Sequence, residues 1–457
     1  MAHTAAAQLP PDVAAKIDER VQAVLDQVQA PSASIAIVVD GKLAYLKAYG
    51  KSRLAPDEVA ATTKTRYAIG SVSKQMVAAA VLLCAEDGKL RLDDPVGKYL
   101  AGLTDGERIT IRHLLNHTSG YRDFYPQDYV FPAMKLPIKP SGILDQWARV
   151  PLDFQPGEQW QYSNTGYTAA GLIVEKVSGR PLIDFMRERI FKPLEMNGVV
   201  DHNTRPLAAP DAIGYTRVAL GPVRPVTKEG EGWLFAAGPL AMPPSDLAKW
   251  NISLINRSLL SAESFREFTT AAVVKDNPRS VKYGLGVNVG EDFSGFQMLS
   301  HGGGVAGSTT ENRVWPKQRA AITVVVNADW AAATSAIADR IRPLILTNTS
   351  DAEAPPPTGV DAEMQALFVA LQSGQIDAAK LTPNAQAYFS AQALSDAATG
   401  LGPLGAVKSI RRTAEGLRGG LDYRNYRVTC EHGVVTVVVR SQPDGRYEQF
   451  MVDAAVN

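Results

Sequence analysis

The stretch Gly70-Ser71-Val72-Ser73-Lys74, continued by the apolar run of residues 76–85, decides how this chain reads. A serine three residues before a lysine at the start of a buried helix puts both side chains on one helix face, a turn apart. The helix N-terminus offers unsatisfied N–H groups and a positive dipole to an oxygen carrying negative charge. A lysine on an otherwise apolar helix loses its charge by desolvation and can then serve as a base. Ser-x-x-Lys enzymes activate a serine in this way, without a histidine. The same spacing also describes a capped helix with a solvated lysine, so partners further along the chain have to decide.

Two partners stand out. Tyr162-Ser163-Asn164 lies within residues 155–167, a stretch rich in turn and aromatic residues. A buried tyrosine beside a lysine can pass a proton to a leaving group, and an asparagine can donate to a substrate carbonyl. Alone, the segment reads equally as a turn tyrosine with a local Asn cap. His301-Gly302-Gly303-Gly304 directly follows an apolar strand. Glycines there let a substrate approach the strand edge and expose N–H donors. One such donor, with the N–H of Ser71, would make an oxyanion hole. The plainer alternative is a glycine-rich hairpin bend.

The order of elements suggests an α/β domain with an inserted helical subdomain. Residues 11–29 have the helical spacing of an amphipathic helix, with Val13, Ile17, Val21, Val24, Leu25 and Val28 on one face. Residues 34–39 and 42–48 form a hairpin about Asp40-Gly41. The Ser71 helix ends near Gly88. Residues 92–256 are helical with many turns, and two loop-rich segments, 121–140 and 205–232, are placed to wall or cover a cleft. Strands return at 296–300, 309–315 and 321–327, and a helix over 331–346 closes this part. The hairpin and the late strands are expected to share an antiparallel sheet. The division is thus a catalytic-type domain over 1–350, a Pro-rich linker over 351–359 containing Pro355-Pro356-Pro357, and a small α+β domain over 360–457. In that last part residues 361–401 read as helical, followed by strands at 407–413, 421–429, 434–441 and 447–452.

Bulk properties narrow the function classes. The chain has 457 residues, 45% hydrophobic and 21% charged, as in ordinary globular proteins. Lys plus Arg equals Asp plus Glu, leaving no field to attract nucleic acid or anionic lipid. The local basic cluster Lys408, Arg411 and Arg412 is followed by Glu415 and Asp422 and reads as mixed, solvated surface. Cys84 and Cys430 have neither metal-type nor redox-type spacing and read as free structural thiols. No apolar run reaches membrane-spanning length. The Ala-rich start lacks a basic n-region and an apolar h-region. It fits a cytoplasmic start, or a periplasmic or secreted protein whose leader was removed.

Three rival sites have weaker support in the sequence. His113 and His117 stand at i, i+4, but no Glu follows His113 as it would in a zinc protease, so turn-anchoring histidines are the better reading and no metal or cofactor is expected. His301 as base of a Ser-His-Asp triad lacks a Gly-x-Ser-x-Gly elbow around Ser71. Trp147, Trp160, Trp233, Trp250 and Trp315 have no basic stripe beside them and read as core or cleft wall, not a nucleobase platform.

Taken together, the three motifs resemble the serine β-lactamase and penicillin-binding-protein family, in its branch of class C-like esterases and D-aminopeptidases. The likeness covers about residues 24–346. Connecting phrases share it: Leu92-Asp93-Asp94-Pro95-Val96, residues 113–120, and Gly238-Pro239-Leu240. It implies a β-lactamase-like fold, an antiparallel sheet flanked by helices plus a helical subdomain. It implies that Ser71 forms an acyl-enzyme and that Lys74 and Tyr162 share proton transfer, with Lys74 holding Tyr162 partly as phenolate; which of the two is the acylation base stays open. Asn164, His301 and Gly303 would bind substrate, and the N–H groups of Ser71 and Gly304 would form the oxyanion hole. Where many penicillin-recognising members have Lys-Thr-Gly, this chain has His301-Gly302-Gly303. A mostly neutral histidine and a glycine without a hydroxyl recognise a substrate carboxylate poorly. The expected substrate is therefore a small ester, an amide or a short D-amino-acid-containing peptide. The competing expectation is a non-catalytic protein of the same fold that binds or senses peptide or cell-wall fragments. The oligomeric state and the role of the C-terminal part are not legible.

Overall fold

The strand Ser32–Val39 (β1) is buried along almost its whole length, with Ile35 and Ile37 facing one apolar cluster and Ala36 and Val38 facing another. An unbroken apolar run is what a strand covered on both faces requires. The computed structural model describes residues 8–274, 281–330, 333–346 and 362–456. In it, β1 is an interior strand of a seven-stranded antiparallel sheet with Lys42–Arg53 (β2), Val59–Ala60 (β3), Asn288–Glu291 (β4), Gln297–Val305 (β5), Ser308–Trp315 (β6) and Ala320–Val326 (β7). The order across the sheet is β3-β2-β1-β7-β6-β5-β4, so the N-terminal hairpin and the late strands do share one sheet.

Helices cover both faces. The amphipathic helix Pro11–Val28 (α1) and the helix Ala333–Ile345 pack Ile17, Val21, Val24, Ile337 and Ile341 on one side. On the other lie Ser73–Glu86 (α2), Asn164–Ser178 (α3) and Pro244–Asn256 (α4). In α2 every residue from Ser73 to Cys84 is buried, as expected of a helix apolar all round. Lys74 is the one charged side chain type in that buried run, and it is fully enclosed.

Several boundaries differ from the sequence reading. Ser71 does not open the α-helix; it sits in a preceding 3-10 turn, Gly70–Val72. Gly70 takes a left-handed φ of 50°, and a Cβ there would stand 2.7 Å from Gly304 N, so the turn is pressed against β5. Strand β5 does not stop at Ser300. It runs through His301-Gly302-Gly303-Gly304, each paired with β6, and the bend lies at Ala306-Gly307. The glycines are a place of close approach within a strand, not a hairpin bend. A Cβ on Gly303 would stand 2.0 Å from Ile69 O. The edge strand β4, with only four residues and no apolar alternation, gave no sequence signal.

The C-terminal part holds the helices Ala362–Gln372, Pro383–Tyr388 and Ala391–Leu401 and a four-stranded antiparallel meander, Val407–Arg418 (β8), Leu421–Cys430 (β9), Val434–Ser441 (β10) and Tyr447–Ala454 (β11). Phe368, Leu401, Tyr426, Val428, Val437 and Val439 form their common core. The Pro-rich segment 351–359 lies outside the described residues. Strand β8 continues past Thr413 through a bulge to Arg418, and Gly419 and Gly420, with φ of 59° and 75°, turn the chain into β9. This C-terminal part makes polar contacts with the rest of the protein: Arg440 Nη2 to Asp128 Oδ2 at 2.6 Å and Tyr129 Oη to Glu448 O at 2.9 Å from the sheet, and Arg224 Nη2 to Asp396 Oδ1 at 2.9 Å from the helix Ala391–Leu401. Cys84 and Cys430 are both buried and free. Among the described residues no helix is long and apolar enough to cross a membrane.

Candidate active site

Lys74 Nζ has three neighbours: Ser71 Oγ at 3.0 Å, Asn164 Oδ1 at 2.8 Å and the carbonyl oxygen of Ala237 at 2.5 Å. Burial drives its pKa well below the ordinary lysine value; Asp123 opposes this and Arg418 adds to it. A neutral amine has two N–H donors and one lone pair. Asn164 Oδ1 and the Ala237 carbonyl are acceptors only and use both donors, which leaves the lone pair facing the Ser71 hydroxyl.

That accounting depends on which way the Asn164 amide points, and Asp123 fixes it. Asp123 Oδ1 accepts from Asn164 Nδ2 at 2.9 Å and from Asn164 N at 3.0 Å, so the amide oxygen must face Lys74. Asp123 is itself held by Arg418, whose Nε donates to Oδ2 at 3.0 Å. Ser163 caps α3 by accepting from Gly166 N at 3.2 Å, which sets Asn164 at the first position of the helix.

Tyr162 reaches the same point from the loop before α3. Lys74 Nζ lies 5.0 Å from its ring centroid, and the Arg418 guanidinium lies over the ring at 5.1 Å. His117 packs beside it with ring centroids 4.2 Å apart. Burial raises the Tyr162 pKa, against smaller lowering effects from a hydrogen bond with Ser71 and from Arg418. The phenol is therefore held neutral, contrary to the phenolate expectation. Desolvation penalises the phenolate and the ammonium alike, so this enclosure favours the uncharged pair.

On the opposite side, β5 passes close to Ser71. The Ser71 N lies 3.3 Å from where a Gly303 Cβ would be, and Gly304 lines the cavity while Gly303 does not. His301 lines it too, yet both ring nitrogens are engaged: Nε2 with Tyr283 Oη at 2.7 Å and Nδ1 with the Gly302 carbonyl at 2.5 Å. Burial, with Lys74 nearby, pushes His301 down to about 3, so the ring is neutral. It presents ring surface to the cavity, not a free donor or a charge. His113 and His117 do not converge. His113 completes a capping box with Thr110, and His117 Nδ1 accepts from Ser163 N at 3.1 Å, consistent with turn-anchoring roles.

The cavity has a volume of about 350 Å³. Phe124, Tyr125, Gln127 and Asp128 from the segment 121–140 wall it, together with Leu234, Val305, Asp329 and Arg418. The segment 205–232 stands one layer back, where Glu229 Oε1 accepts from Tyr125 Oη at 2.9 Å.

The model of the family described as Beta-lactamase matches residues 17–344. The chain belongs to the Beta-lactamase family. Among curated proteins, it is similar to Penicillin-binding protein 4* of Bacillus subtilis, 30% identical over 264 residues, 54% of this chain and 57% of that protein. It is also similar to a putative D-alanyl-D-alanine carboxypeptidase of Escherichia coli K12, 33% identical over 187 residues, 37% of this chain and 43% of that one. The chain spans about half the length of the curated relatives it matches. Among solved structures, a D-stereospecific amidohydrolase from Streptomyces aligns with a TM-score of 0.63 and 28% identity over 74% of this chain and 99% of its own. The octameric penicillin-binding protein homologue from Pyrococcus abyssi aligns with a TM-score of 0.64 and 21% identity over 96% of this chain and 99% of its own. That second likeness is one of fold, and it extends through the C-terminal sheet of this Beta-lactamase family member.

Ser71, Tyr162, Asn164, His301 and Gly304 thus line one cavity, with Lys74 buried behind Ser71 and Gly303 immediately behind the cavity wall. Sequence reasoning missed Asp123 and Arg418. Nothing local marks Asp123 among the acids of the wall segment. Arg418 had a signal: it precedes Gly419-Gly420, which is the turn of a hairpin.

Proposed function

We propose that the protein is a serine hydrolase that acts on small esters, amides or D-amino-acid-containing peptides through an acyl-enzyme on Ser71. The observation that carries this is the buried Lys74 amine, held by Asn164 Oδ1 and the Ala237 carbonyl with its Nζ 3.0 Å from Ser71 Oγ. In acylation Ser71 Oγ attacks the substrate carbonyl carbon and its proton passes to Lys74. The oxyanion is met by the N–H groups of Ser71 and Gly304. The proton then reaches the leaving oxygen or nitrogen by way of the Tyr162 hydroxyl, and water releases the acyl group by the reverse relay. Asn164 holds the lysine and borders the acyl position.

The substrate class follows from charge. Asp329 lines the cavity, the Asp128 and Arg418 charges there are already paired with Arg440 and Asp123, and His301 is neutral where a lysine would meet a carboxylate. Burial pushes Asp329 up to about 7, so it is partly ionised near neutral pH. These groups disfavour a free substrate carboxylate and tolerate an amine. The names of similar proteins, D-stereospecific amidohydrolase and D-amino acid amidase, agree with an amide or ester of a D-amino acid.

A fluorophosphonate should add one adduct, located at Ser71 by peptide mass spectrometry and absent from folded Ser71→Ala. Nitrocefin, a p-nitrophenyl ester and D- and L-alanine p-nitroanilides, assayed in parallel, then give the substrate class. Labelling at another serine, or a stoichiometric burst without turnover on every substrate, would overturn the reading and leave a binding protein.

A further inference from the structure

We propose that Arg418, at the tip of the C-terminal β8–β9 hairpin, is a positioning residue of the active site that acts on Lys74 through Asp123 and Asn164. The inference rests on the hydrolase reading above and extends it to a part of the chain outside the residues that the family model matches.

The contacts form one continuous path. Arg418 Nε donates to Asp123 Oδ2 at 3.0 Å, and its Nη2 donates to the Tyr125 carbonyl at 2.9 Å. The Asp123 side chain is wholly buried and uses its other oxygen to hold Asn164 by two hydrogen bonds. Asn164 Oδ1 receives the Lys74 amine. A buried carboxylate without its cation would be expensive, so Arg418 is what allows Asp123 to serve as the anchor. The guanidinium also covers the face of Tyr162.

The hairpin tip is fitted to this place. Gly419 N donates to Gln161 Oε1 at 2.9 Å, next in sequence to Tyr162. A Cβ on Gly419 would come within 2.7 Å of Pro126, and one on Gly420 within 3.3 Å of Arg122. Both glycines have left-handed φ, so the Gly-Gly pair satisfies the turn and the close approach together. Arg418 is only partly accessible and faces the cavity, but its charge is matched by Asp123 and, at 4.0 Å, by Asp128. That pairing makes it a poor receptor for a substrate carboxylate and a good fixed support.

Lys74 is faced by Tyr162 from the loop before α3, Tyr167 from α3 itself, His117 from the turn after the short helix Ile111–Leu115, His301 from β5, Asp123 from the wall segment and Arg418 from the hairpin. Of these, Asp123 favours the ammonium, whereas Arg418 favours the free amine. Losing the guanidinium removes one influence and unmasks the other, and both changes return a proton to Lys74.

The test compares full-length Arg418→Gln, Arg418→Lys and, as a surface control on the same strand, Arg412→Gln. Each is measured for kcat and KM from pH 5 to 10 and for the fraction of sites that a fluorophosphonate titrates. For Arg418→Gln, kcat at pH 7 per titrated site is expected to fall by about 100-fold, the scale of a small misplacement in a catalytic array. Its acid limb is expected to move up by about one pH unit, so that up to about 10-fold of the loss is recovered at alkaline pH and the rest is not. Arg418→Lys, which keeps the charge, is expected to keep most of the wild-type pH profile with a smaller loss of kcat. Arg412→Gln should match wild type. An unshifted limb with activity falling only in proportion to the titrated fraction would reduce Arg418 to a structural contact and overturn the proposal, as would unchanged kinetics. Should Arg418→Gln not fold, Arg418→Lys decides: a kcat per titrated site lowered with KM unchanged supports the positioning role, and a wild-type kcat per titrated site overturns it. If wild type itself neither labels at Ser71 nor turns over substrate, the hydrolase reading fails instead.

Discussion

The amine of Lys74 stands 3.0 Å from the hydroxyl of Ser71 inside a helix whose surrounding residues are all buried. Burial lowers the pKa of Lys74, so between its folded value and the 10.5 of an exposed lysine the unfolded chain binds a proton that the native protein does not. Stability therefore rises with pH across that window, and the enclosed lysine weakens the fold most on its acid side. Lys74→Met should remove this slope from unfolding free energies measured between pH 6 and pH 10. The same substitution should abolish turnover. A slope left unchanged by Lys74→Met would mean the lysine is charged in the native state.

Gly303 touches the backbone that carries Ser71. A methyl group there would stand 2.0 Å from Ile69 O, which cannot yield without moving the Gly70–Val72 turn. Gly303→Ala is expected to cost about 1–3 kcal/mol by overpacking and to slow fluorophosphonate labelling of Ser71. Gly290 in the edge strand β4 has nothing within 4 Å of a Cβ, so Gly290→Ala should stay within about 0.5 kcal/mol and label normally. Urea unfolding and labelling rates on the pair check this.

His301 is neutral in the fold and pushed down to about 3 by burial. Between pH 6.5 and 3 the unfolded chain takes up a proton there that the native ring refuses, so stability falls as pH drops through this window. His117 and His202 are shifted in the same direction and add to the effect. His301→Gln should make the acid side of the stability curve shallower, read as midpoint denaturant concentration against pH.

Tyr283 Oη, 2.7 Å from His301 Nε2, is the ring's anchor. Tyr283→Phe leaves a buried nitrogen without a partner and should cost about 1–3 kcal/mol. Because the anchor lies behind the ring, ester turnover by the folded fraction should change far less than in Ser71→Ala; an equal loss would place His301 in the chemistry.

The elements legible in the sequence are those whose cause is local. Ile17, Val21, Val24 and Val28 announce α1 by spacing alone, and Asp40-Gly41 announces the first hairpin. The three site motifs carry their own chemistry, so Ser71, Lys74, Tyr162 and Asn164 could be named before any contact was known. What stayed hidden depends on the partner surface. Gly302 to Gly304 look like a bend until β6 is seen pairing with them. Arg418 looks like one more basic residue on a mixed strand, because its reason for being there is Asp123, far away in the chain and itself unmarked.

The hairpin tip also sets a timetable. Asp123 and Arg418 stand 295 residues apart in the sequence, so the contact that links them closes a long loop in the molecule, and such contacts form late. The α/β framework can be collapsed and its sheet paired while the amine of Lys74 still lacks its final support. The proposed hydrolytic competence is then acquired after most of the structure exists. During refolding, recovery of turnover should lag behind burial of the tryptophans, and the interval between the two signals is the time the C-terminal sheet takes to arrive.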